Sequence, residues 1–210
     1  MNLPNALTVG RIAATPLIAA LPFANSWTLR LVAFALFLAA AITDYIDGHL
    51  ARSRKQETDF GRLLDPLADK LLLVGTFIPM YLLAPVFPFI TPVGDIGLSI
   101  WIVVIVLGRE AFMTVFRQAA KRRGVVIAAI GTAKWKTAFQ LIWQGSAYGW
   151  FCAATLASAK GWNNAPWRAW AEFNGVVGTL SMVTAVVLTI YSLALYLRSF
   201  SSVFATSPSR

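Results

Sequence analysis

Charged side chains are scarce in this chain. Only 13% of its residues are Asp, Glu, Lys or Arg, whereas 58% are hydrophobic. Soluble domains carry about 25% charged residues, so this composition favours an integral membrane protein over a soluble one. The single cysteine, Cys152, lies in an apolar run and excludes an intramolecular disulfide.

Long apolar segments fill most of the sequence. A helix that spans a membrane needs about 20 mostly apolar residues, and six segments meet this requirement. Their predicted bounds are Leu7–Ala24, Thr28–Tyr45, Leu64–Ala84, Ile96–Phe116, Lys134–Ala157 and Phe173–Tyr196. Three prolines interrupt the chain after the third segment, and a Gly- and Asn-containing stretch, 161–166, interrupts it after the fifth. We therefore predict an all-α membrane domain of six transmembrane helices over residues 1–200 and a flexible tail over 201–210.

The net charge of +9 is distributed unevenly between the predicted loops. Of 18 Lys and Arg residues, 15 fall at one end of the predicted helices, and only Arg30, Lys160 and Arg168 fall at the other. The positive-inside rule then predicts that both termini are cytoplasmic, which agrees with an even number of spans. Because the charge lies in short loops between apolar runs, it indicates membrane orientation and the attraction of anionic substrates, not nucleic-acid binding.

The acidic residues are concentrated in one short region. Six of the nine acidic side chains lie between Asp44 and Asp69, and four of these, including Asp47 and Asp65, sit near the ends of apolar helices. Carboxylates gathered at a membrane boundary repel each other, so a cation is expected to offset their charge. Hard oxygen ligands suit Mg²⁺ or Mn²⁺, and four carboxylates suit two such ions. The spacing thus predicts a site for two divalent cations.

Helical periodicity also places small and basic residues beside these carboxylates. Gly48, Ala51 and Arg52 share a helical face with the first two aspartates, and Gly61 shares a face with the last two. The small residues leave room for a bulky ligand near the backbone, and a guanidinium can bind a phosphate through paired hydrogen bonds. An ordinary solvated helix end does not require this combination.

The complete pattern resembles the signature of the CDP-alcohol phosphatidyltransferases. In this chain it reads Asp44-x2-Asp47-Gly48-x2-Ala51-Arg52-x8-Gly61-x3-Asp65-x3-Asp69. The resemblance implies a six-helix membrane fold, a homodimer, and two metal ions held by the four aspartates against the diphosphate of a CDP-linked lipid. It implies that Asp69 is also the general base. The residues implied to contact the CDP-lipid are Asn5, Thr8, Asp44, Gly48, Ala51, Arg52, Gly61 and Asp65.

Other segments resemble the bacterial phosphatidylglycerophosphate synthases within that family. These segments are Asn2 to Arg11, Asp65 to Lys70, Gly108-Arg109-Glu110 and Lys134-Trp135-Lys136-Thr137-x2-Gln140. The resemblance implies transfer of a phosphatidyl group from CDP-diacylglycerol to glycerol-3-phosphate in the bacterial inner membrane, with the active site facing the cytoplasm. The acceptor is a dianion, so we expect basic residues around it, with Arg117 and Lys134 favoured. The candidates are Arg109, Arg117, Lys134 and Lys136.

Three alternatives remain open from the sequence. The acceptor could be inositol phosphate, serine or phosphatidylglycerol, with the same chemistry. Intramembrane prenyltransferases also use Asp-rich helices and Mg²⁺, but the Gly-x2-Ala-Arg insert between the aspartates argues against them. A cation transporter would use the aspartates to bind its cargo, yet it leaves Arg52 and the other basic residues near the site unexplained.

Overall fold

The computed structural model describes the backbone of residues 3–54, 59–123 and 131–200. Side chains are described for residues 5–44, 61, 64–123, 131 and 134–198. Within these ranges the chain forms six α-helices and one short β-hairpin. The helices are α1 (Leu3–Ala20, continued by a 3-10 turn at Leu21–Phe23), α2 (Trp27–Arg54), α3 (Asp59–Leu83), α4 (Ile100–Arg122), α5 (Thr132–Lys160) and α6 (Ala165–Phe200). The tail predicted over 201–210 lies outside the described residues.

The fold is the all-α membrane bundle that the apolar segments predict, but not every helix is equally apolar. Four helices are long and apolar enough to cross a membrane, over Asn5–Phe23, Trp27–Asp44, Leu64–Leu83 and Ala165–Arg198. Helices α4 and α5, with 23 and 29 residues, are long enough but carry more polar side chains. The chain is therefore a multi-pass membrane protein, and the count of six spans stays a prediction.

The fourth predicted segment begins too early. Residues Phe89–Thr91 and Gly94–Ile96 form an antiparallel hairpin, so Ile96 belongs to a strand, and α4 starts only at Ile100. Gly94 adopts a positive φ of 120°, which lets the chain reverse after Pro92. Phe89 and Thr91 of the first strand are buried where the hairpin packs on α6, whereas Ile90 is 37% exposed. The apolar residues before Ile100 therefore belong to this hairpin and not to a spanning helix.

The hairpin packs on α6 at two glycines. A Cβ at Gly175 would lie 1.9 Å from the backbone oxygen of Ile90, and a Cβ at Gly178 would lie 2.5 Å from the Phe89 ring. Only glycine allows so close an approach. The same end of the bundle carries stacked tryptophans, with ring centroids 5.8 Å apart for Trp150 and Trp167. Tryptophan rings favour the interface between membrane and water, so this end of the bundle is expected to lie near one.

The interior of the bundle combines aromatic packing with satisfied polar groups. Phe77 meets Trp143 edge to face at 4.9 Å, and the Gln144 amide donates a hydrogen bond of 2.8 Å to the Thr76 hydroxyl. The Tyr148 hydroxyl donates to the Ile18 carbonyl at 3.1 Å. These contacts tie α5 to α1 and α3. Polar groups inside an apolar bundle are stable only when they are paired in this way.

Candidate active site

Charged and polar side chains converge at one end of the bundle. Contacts link the first half of α1 to the second half of α2 and the first half of α3, and link α4 to the start of α5 and the end of α6. The helices therefore alternate in direction, so the starts of α1, α3 and α5 meet the ends of α2, α4 and α6. Residues from six separate stretches of sequence are thereby brought to one place.

An arginine lies between two of the predicted metal ligands. The Arg11 side chain is 1% exposed, and its Nη1 donates hydrogen bonds to Oδ1 of Asp44 and to Oδ1 of Asp69, the latter at 2.9 Å. The two carboxylates are 48% and 58% exposed. Asp69 also interacts electrostatically with Asp44 and Asp65. We call Asp44, Asp65 and Asp69 the acidic centre.

Helix α1 runs parallel to α3, and their register sets the positions of these groups. The Thr8 hydroxyl donates to Oδ1 of Asp65 at 2.8 Å, one turn before the contact between Arg11 and Asp69. About one turn after Arg11 on α1, a Cβ at Gly75 would lie 2.8 Å from Cγ2 of Thr15. The glycine therefore permits the close approach that puts the polar face of α1 against the carboxylates of α3.

The structure brings together some of the residues implied to bind CDP-lipid and metal. Four of them meet through the contacts given above: Thr8, Asp44, Asp65 and Asp69. Two more, Asn5 and Gly61, are buried and lie within four residues of Thr8 and Asp65 in the sequence. The side chains of the other signature residues lie outside those that the structure describes, although their backbone belongs to α2. These residues are Asp47, Gly48, Ala51 and Arg52.

The chemistry of the acidic centre fits a hard divalent cation. Its donors are carboxylate oxygens, and Arg11 already lies between two of them, so the charge of this centre attracts a cation. Among the side chains that are described, no three Asp, Glu, His or Cys residues stand close enough to hold one ion by themselves. The set of four aspartates around two ions therefore stays a prediction, because Asp47 is not among those side chains.

A cavity of about 490 Å³ connects the acidic centre to a group of basic residues. We call Arg109, Arg117 and Lys136, which all line it, the basic cluster. Lys70 from α3, polar residues from α4 and α5, and apolar residues from α2, α3, α4 and α5 complete the lining. Those polar residues are Glu110, Thr114, Gln118, Thr137, Gln140 and Gln144. One cavity thus presents carboxylates at one side and cations at the other.

Side chains of α6 and α4 hold the basic cluster in place. Nη2 of Arg109 donates to the Ser192 hydroxyl at 3.2 Å, and Nη2 of Arg117 donates to the Tyr196 hydroxyl at 3.3 Å. Both guanidinium groups lie over the Tyr196 ring, at 5.9 and 5.6 Å from its centroid. Lys136 donates to the Glu110 carboxylate. The cations are therefore ordered without any bound anion.

The fourth predicted acceptor ligand is placed differently. Lys134 is exposed at the start of α5 and is not among the residues that line the cavity, whereas Lys136, half a turn later, is buried. Its role at the acceptor stays a prediction. Arg11 and Glu110 were not predicted as site residues, although both occur in segments that resemble the bacterial synthases. An ionisable residue within an apolar helix was the available signal in each case.

These observations define a multi-pass membrane protein whose site pairs an acidic centre with a basic cluster. The family description for CDP-alcohol phosphatidyltransferase matches residues 1–191, so the chain belongs to the CDP-alcohol phosphatidyltransferase family. Members of this family generally depend on divalent cations. Family membership thus agrees with the carboxylate chemistry of the acidic centre.

Similar proteins carry two kinds of name. A chloroplastic and mitochondrial CDP-diacylglycerol–glycerol-3-phosphate 3-phosphatidyltransferase of Arabidopsis thaliana is 32% identical over 94% of this chain and 62% of its own length. The enzyme of the same name in Cereibacter sphaeroides is 36% identical over 67% of this chain and 60% of its own. A CMP-forming cardiolipin synthase of Oryza sativa is 35% identical over 67% of this chain and 44% of its own. The chain thus spans about three fifths of the length of the first two.

Replacing Arg11 with Met should destabilise the protein. The change removes the cation shared by Asp44 and Asp69, and two neighbouring carboxylates are left to repel each other. Because both are half exposed, we expect a loss of about 1–3 kcal/mol, below the cost of breaking a fully buried pair. Thermal unfolding of the purified protein in detergent, without divalent cations, measures this. Arg168→Met, at an exposed position of α6, is the control; equal effects of the two changes would contradict the prediction.

Proposed function

We propose that this chain transfers the phosphatidyl group of CDP-diacylglycerol to glycerol-3-phosphate, releasing CMP and phosphatidylglycerophosphate. The observation that carries the proposal is the single cavity lined by Asp44 and Asp69 on one side and by the basic cluster on the other. Two relatives named for this reaction support it. A group transfer needs both substrates side by side, and the cavity offers two regions of opposite charge next to each other.

The charge of the basic cluster suits a phosphate monoester as acceptor. Arg109, Arg117 and Lys136 contribute three positive charges, and Glu110 contributes one negative charge. The two remaining positive charges of the basic cluster match a dianionic phosphate, and Lys70, next to Asp69 in the chain, adds a further cation to the cavity lining. Arginine binds phosphate through paired hydrogen bonds, whereas lysine provides a point charge. Serine carries no such dianion, so it leaves the net charge of the basic cluster unmatched.

The acidic centre is the region for the CDP-lipid. Asp44, Asp65 and Asp69, with Asp47, would hold one or two divalent cations, Mg²⁺ or Mn²⁺. Such ions neutralise the diphosphate and stabilise the departing CMP. Arg11 lies close enough to exchange its carboxylate partners for a diphosphate oxygen, and the Thr8 hydroxyl fixes the orientation of Asp65.

Asp69 is placed to accept the proton of the attacking hydroxyl. One of its oxygens is held by Arg11, and its side chain is more than half exposed at the cavity. The acceptor oxygen forms a bond to the phosphorus that carries diacylglycerol, while the bond from that phosphorus to the CMP oxygen breaks. The hydroxyl proton passes to the Asp69 carboxylate.

Localisation and assembly follow from the same proposal. The acyl chains of the lipid stay in the bilayer while its CDP group reaches the acidic centre, so this end of the bundle faces the water on one side of the membrane. The excess of Lys and Arg at this end supports a cytoplasmic site and cytoplasmic termini in a bacterial inner membrane. The family resemblance supports a homodimer.

A second acceptor has one specific observation in its favour. The relative from Oryza sativa is named a CMP-forming cardiolipin synthase, and its name implies phosphatidylglycerol as acceptor for that protein. The transfer chemistry is unchanged in that reaction. Phosphatidylglycerol is a phosphodiester with a single negative charge. It therefore balances only one of the two net positive charges of the basic cluster, whereas glycerol-3-phosphate balances both.

Acceptor competition tests the proposal directly. Purified protein receives CDP-diacylglycerol and Mg²⁺ with glycerol-3-phosphate, inositol phosphate, serine or phosphatidylglycerol in separate reactions, and CMP release is measured. We expect CMP with glycerol-3-phosphate at a rate at least tenfold above that with serine or phosphatidylglycerol, because neither of these carries a dianionic phosphate to match the charge of the basic cluster. Inositol phosphate is also a dianion, so its rate tests the choice between the two phosphate acceptors. Faster release with another acceptor would assign the site to that acceptor.

The base role of Asp69 predicts a separation of turnover from binding. Asp69→Asn should lower kcat by at least about 100-fold, in the range that general-base catalysis contributes, while CDP-diacylglycerol binding weakens by less than about threefold. Single-turnover CMP release and calorimetric titration measure the two quantities. Asp95→Asn, in the exposed hairpin strand Gly94–Ile96, is the control. A large loss of lipid binding would make Asp69 chiefly a metal ligand.

The two lysines at the start of α5 should behave differently. Lys136→Met should raise the KM for glycerol-3-phosphate by about tenfold or more, as expected for loss of a charge-assisted contact worth roughly 1.5–3 kcal/mol, and leave the KM for the lipid nearly unchanged. Lys134→Met should raise the acceptor KM by less than about threefold, because Lys134 is exposed outside the cavity lining. A larger increase of the acceptor KM in Lys134→Met than in Lys136→Met would assign the acceptor contact to Lys134.

A further inference from the structure

One acidic side chain lies among the cations that are expected to bind the acceptor phosphate. Oε1 of Glu110 accepts hydrogen bonds from Nη1 of Arg109, at 2.8 Å, and from Nζ of Lys136. A carboxylate beside a phosphate dianion would repel it. Glu110 therefore weakens the attraction of the basic cluster for the acceptor phosphate. Neither the metal ions nor the transfer step requires it.

The two oxygens of Glu110 have different surroundings. Oε1 is occupied by both cations, whereas Oε2 has no hydrogen-bond partner among the residues that the structure describes. The side chain is 28% exposed and lines the cavity. Oε2 is not among the buried polar atoms that lack a partner, so it is open to the cavity. An open acceptor oxygen is therefore held in a fixed position by two cations.

A carboxylate oxygen can only accept a hydrogen bond, so its ligand must be a donor. The neighbouring cations already neutralise Glu110, which leaves little attraction for a further positive charge such as an ammonium group. A neutral hydroxyl is the donor that this environment favours. Glycerol-3-phosphate has two hydroxyls, of which one attacks the lipid phosphorus and the other, on the middle carbon, takes no part in bond formation.

We propose that Glu110 determines acceptor specificity by accepting a hydrogen bond from this second hydroxyl through Oε2. The inference rests on the proposed function and deepens it: the acceptor class becomes a phosphate monoester with two hydroxyls, not any alcohol phosphate. Arg109 and Lys136 perform two tasks, since they face the phosphate and also fix the carboxylate. A site that hydrogen-bonds a substrate hydroxyl rejects analogues that lack it, because the protein group is then left without a partner.

A simpler role for Glu110 would be to hold Lys136 and Arg109 in position. That role affects every acceptor phosphate equally, whereas the proposed hydrogen bond affects only acceptors that carry the second hydroxyl. The ratio of kcat/KM for two acceptors distinguishes these roles, because each variant serves as its own control for folding and for loss of cation order.

The experiment compares glycerol-3-phosphate with 3-hydroxypropyl phosphate, which lacks only the middle hydroxyl. CMP release from CDP-diacylglycerol gives kcat/KM for each in the wild-type protein, Glu110→Ala and Glu110→Gln. The wild type should prefer glycerol-3-phosphate by about 10- to 100-fold, as expected for a hydrogen bond to a charged group. In Glu110→Ala, the preference should fall to about threefold or less. In Glu110→Gln, it should fall by a factor of at least about five. Glu172→Gln, at an exposed position of α6, should keep the wild-type ratio.

Each other outcome overturns the inference. A wild-type preference below about threefold excludes the hydrogen bond without any variant, even if the Glu110 variants fail to fold. An unchanged ratio in the variants, with KM raised equally for both acceptors, reduces Glu110 to a positioning residue. Absence of CMP release with glycerol-3-phosphate in the wild type overturns the proposed function itself. The last result is thus distinguishable from a failure that concerns Glu110 alone.

Discussion

A single buried guanidinium joins the three helices that form the acidic side of the site. Arg11 on α1 donates to Asp44 on α2 and to Asp69 on α3, and Thr8, one turn earlier, donates to Asp65. Without a cation here, the carboxylates would repel each other at the boundary of an apolar bundle, where water screens charge poorly. The first three helices can pack closely only because this charge is compensated. The same compensation leaves the carboxylates half exposed and available to a ligand.

Alternation of helix direction brings the second charged region next to the first. The C-terminal halves of α4 and α6 and the start of α5 meet at the same end as the acidic centre, so Arg109, Arg117 and Lys136 line the cavity that Asp44 and Asp69 also line. The opposite charges stay apart because different partners hold them. Arg11 satisfies the aspartates, while Glu110, Ser192 and Tyr196 satisfy the basic cluster. Without these partners the two regions would pair with each other and close the cavity.

Much of this arrangement could be predicted from the sequence, because apolar length and local spacing are sequence properties. The six helices, the breaks after Leu83 and Lys160, and the helical faces of the aspartates follow from such patterns. The hairpin Phe89–Ile96 did not, since its position depends on the close approach of Phe89 and Ile90 to glycines of α6, which are distant in sequence. The burial of Lys136 in place of Lys134 depends on the rotation of α5 about its axis. That rotation is set by contacts with α2, α3 and α6, which no local pattern contains.

The polar character of α4 and α5 is the cost of building this site inside a membrane. An ionisable residue within an apolar helix is unfavourable by roughly 2.5–3.5 kcal/mol on insertion scales, and these two helices carry Arg109, Glu110 and Lys136. Within the described residues, neither of these two helices is among the four that are long and apolar enough to cross a membrane. Arg109 and Lys136 are buried toward α6 and the cavity, so the predicted placement of α4 and α5 in lipid requires the assembled bundle. Because Glu110 pairs with both Arg109 and Lys136, it lowers the net charge that assembly must bury. The residue that we infer to read the acceptor hydroxyl therefore also helps these helices to reside in the membrane.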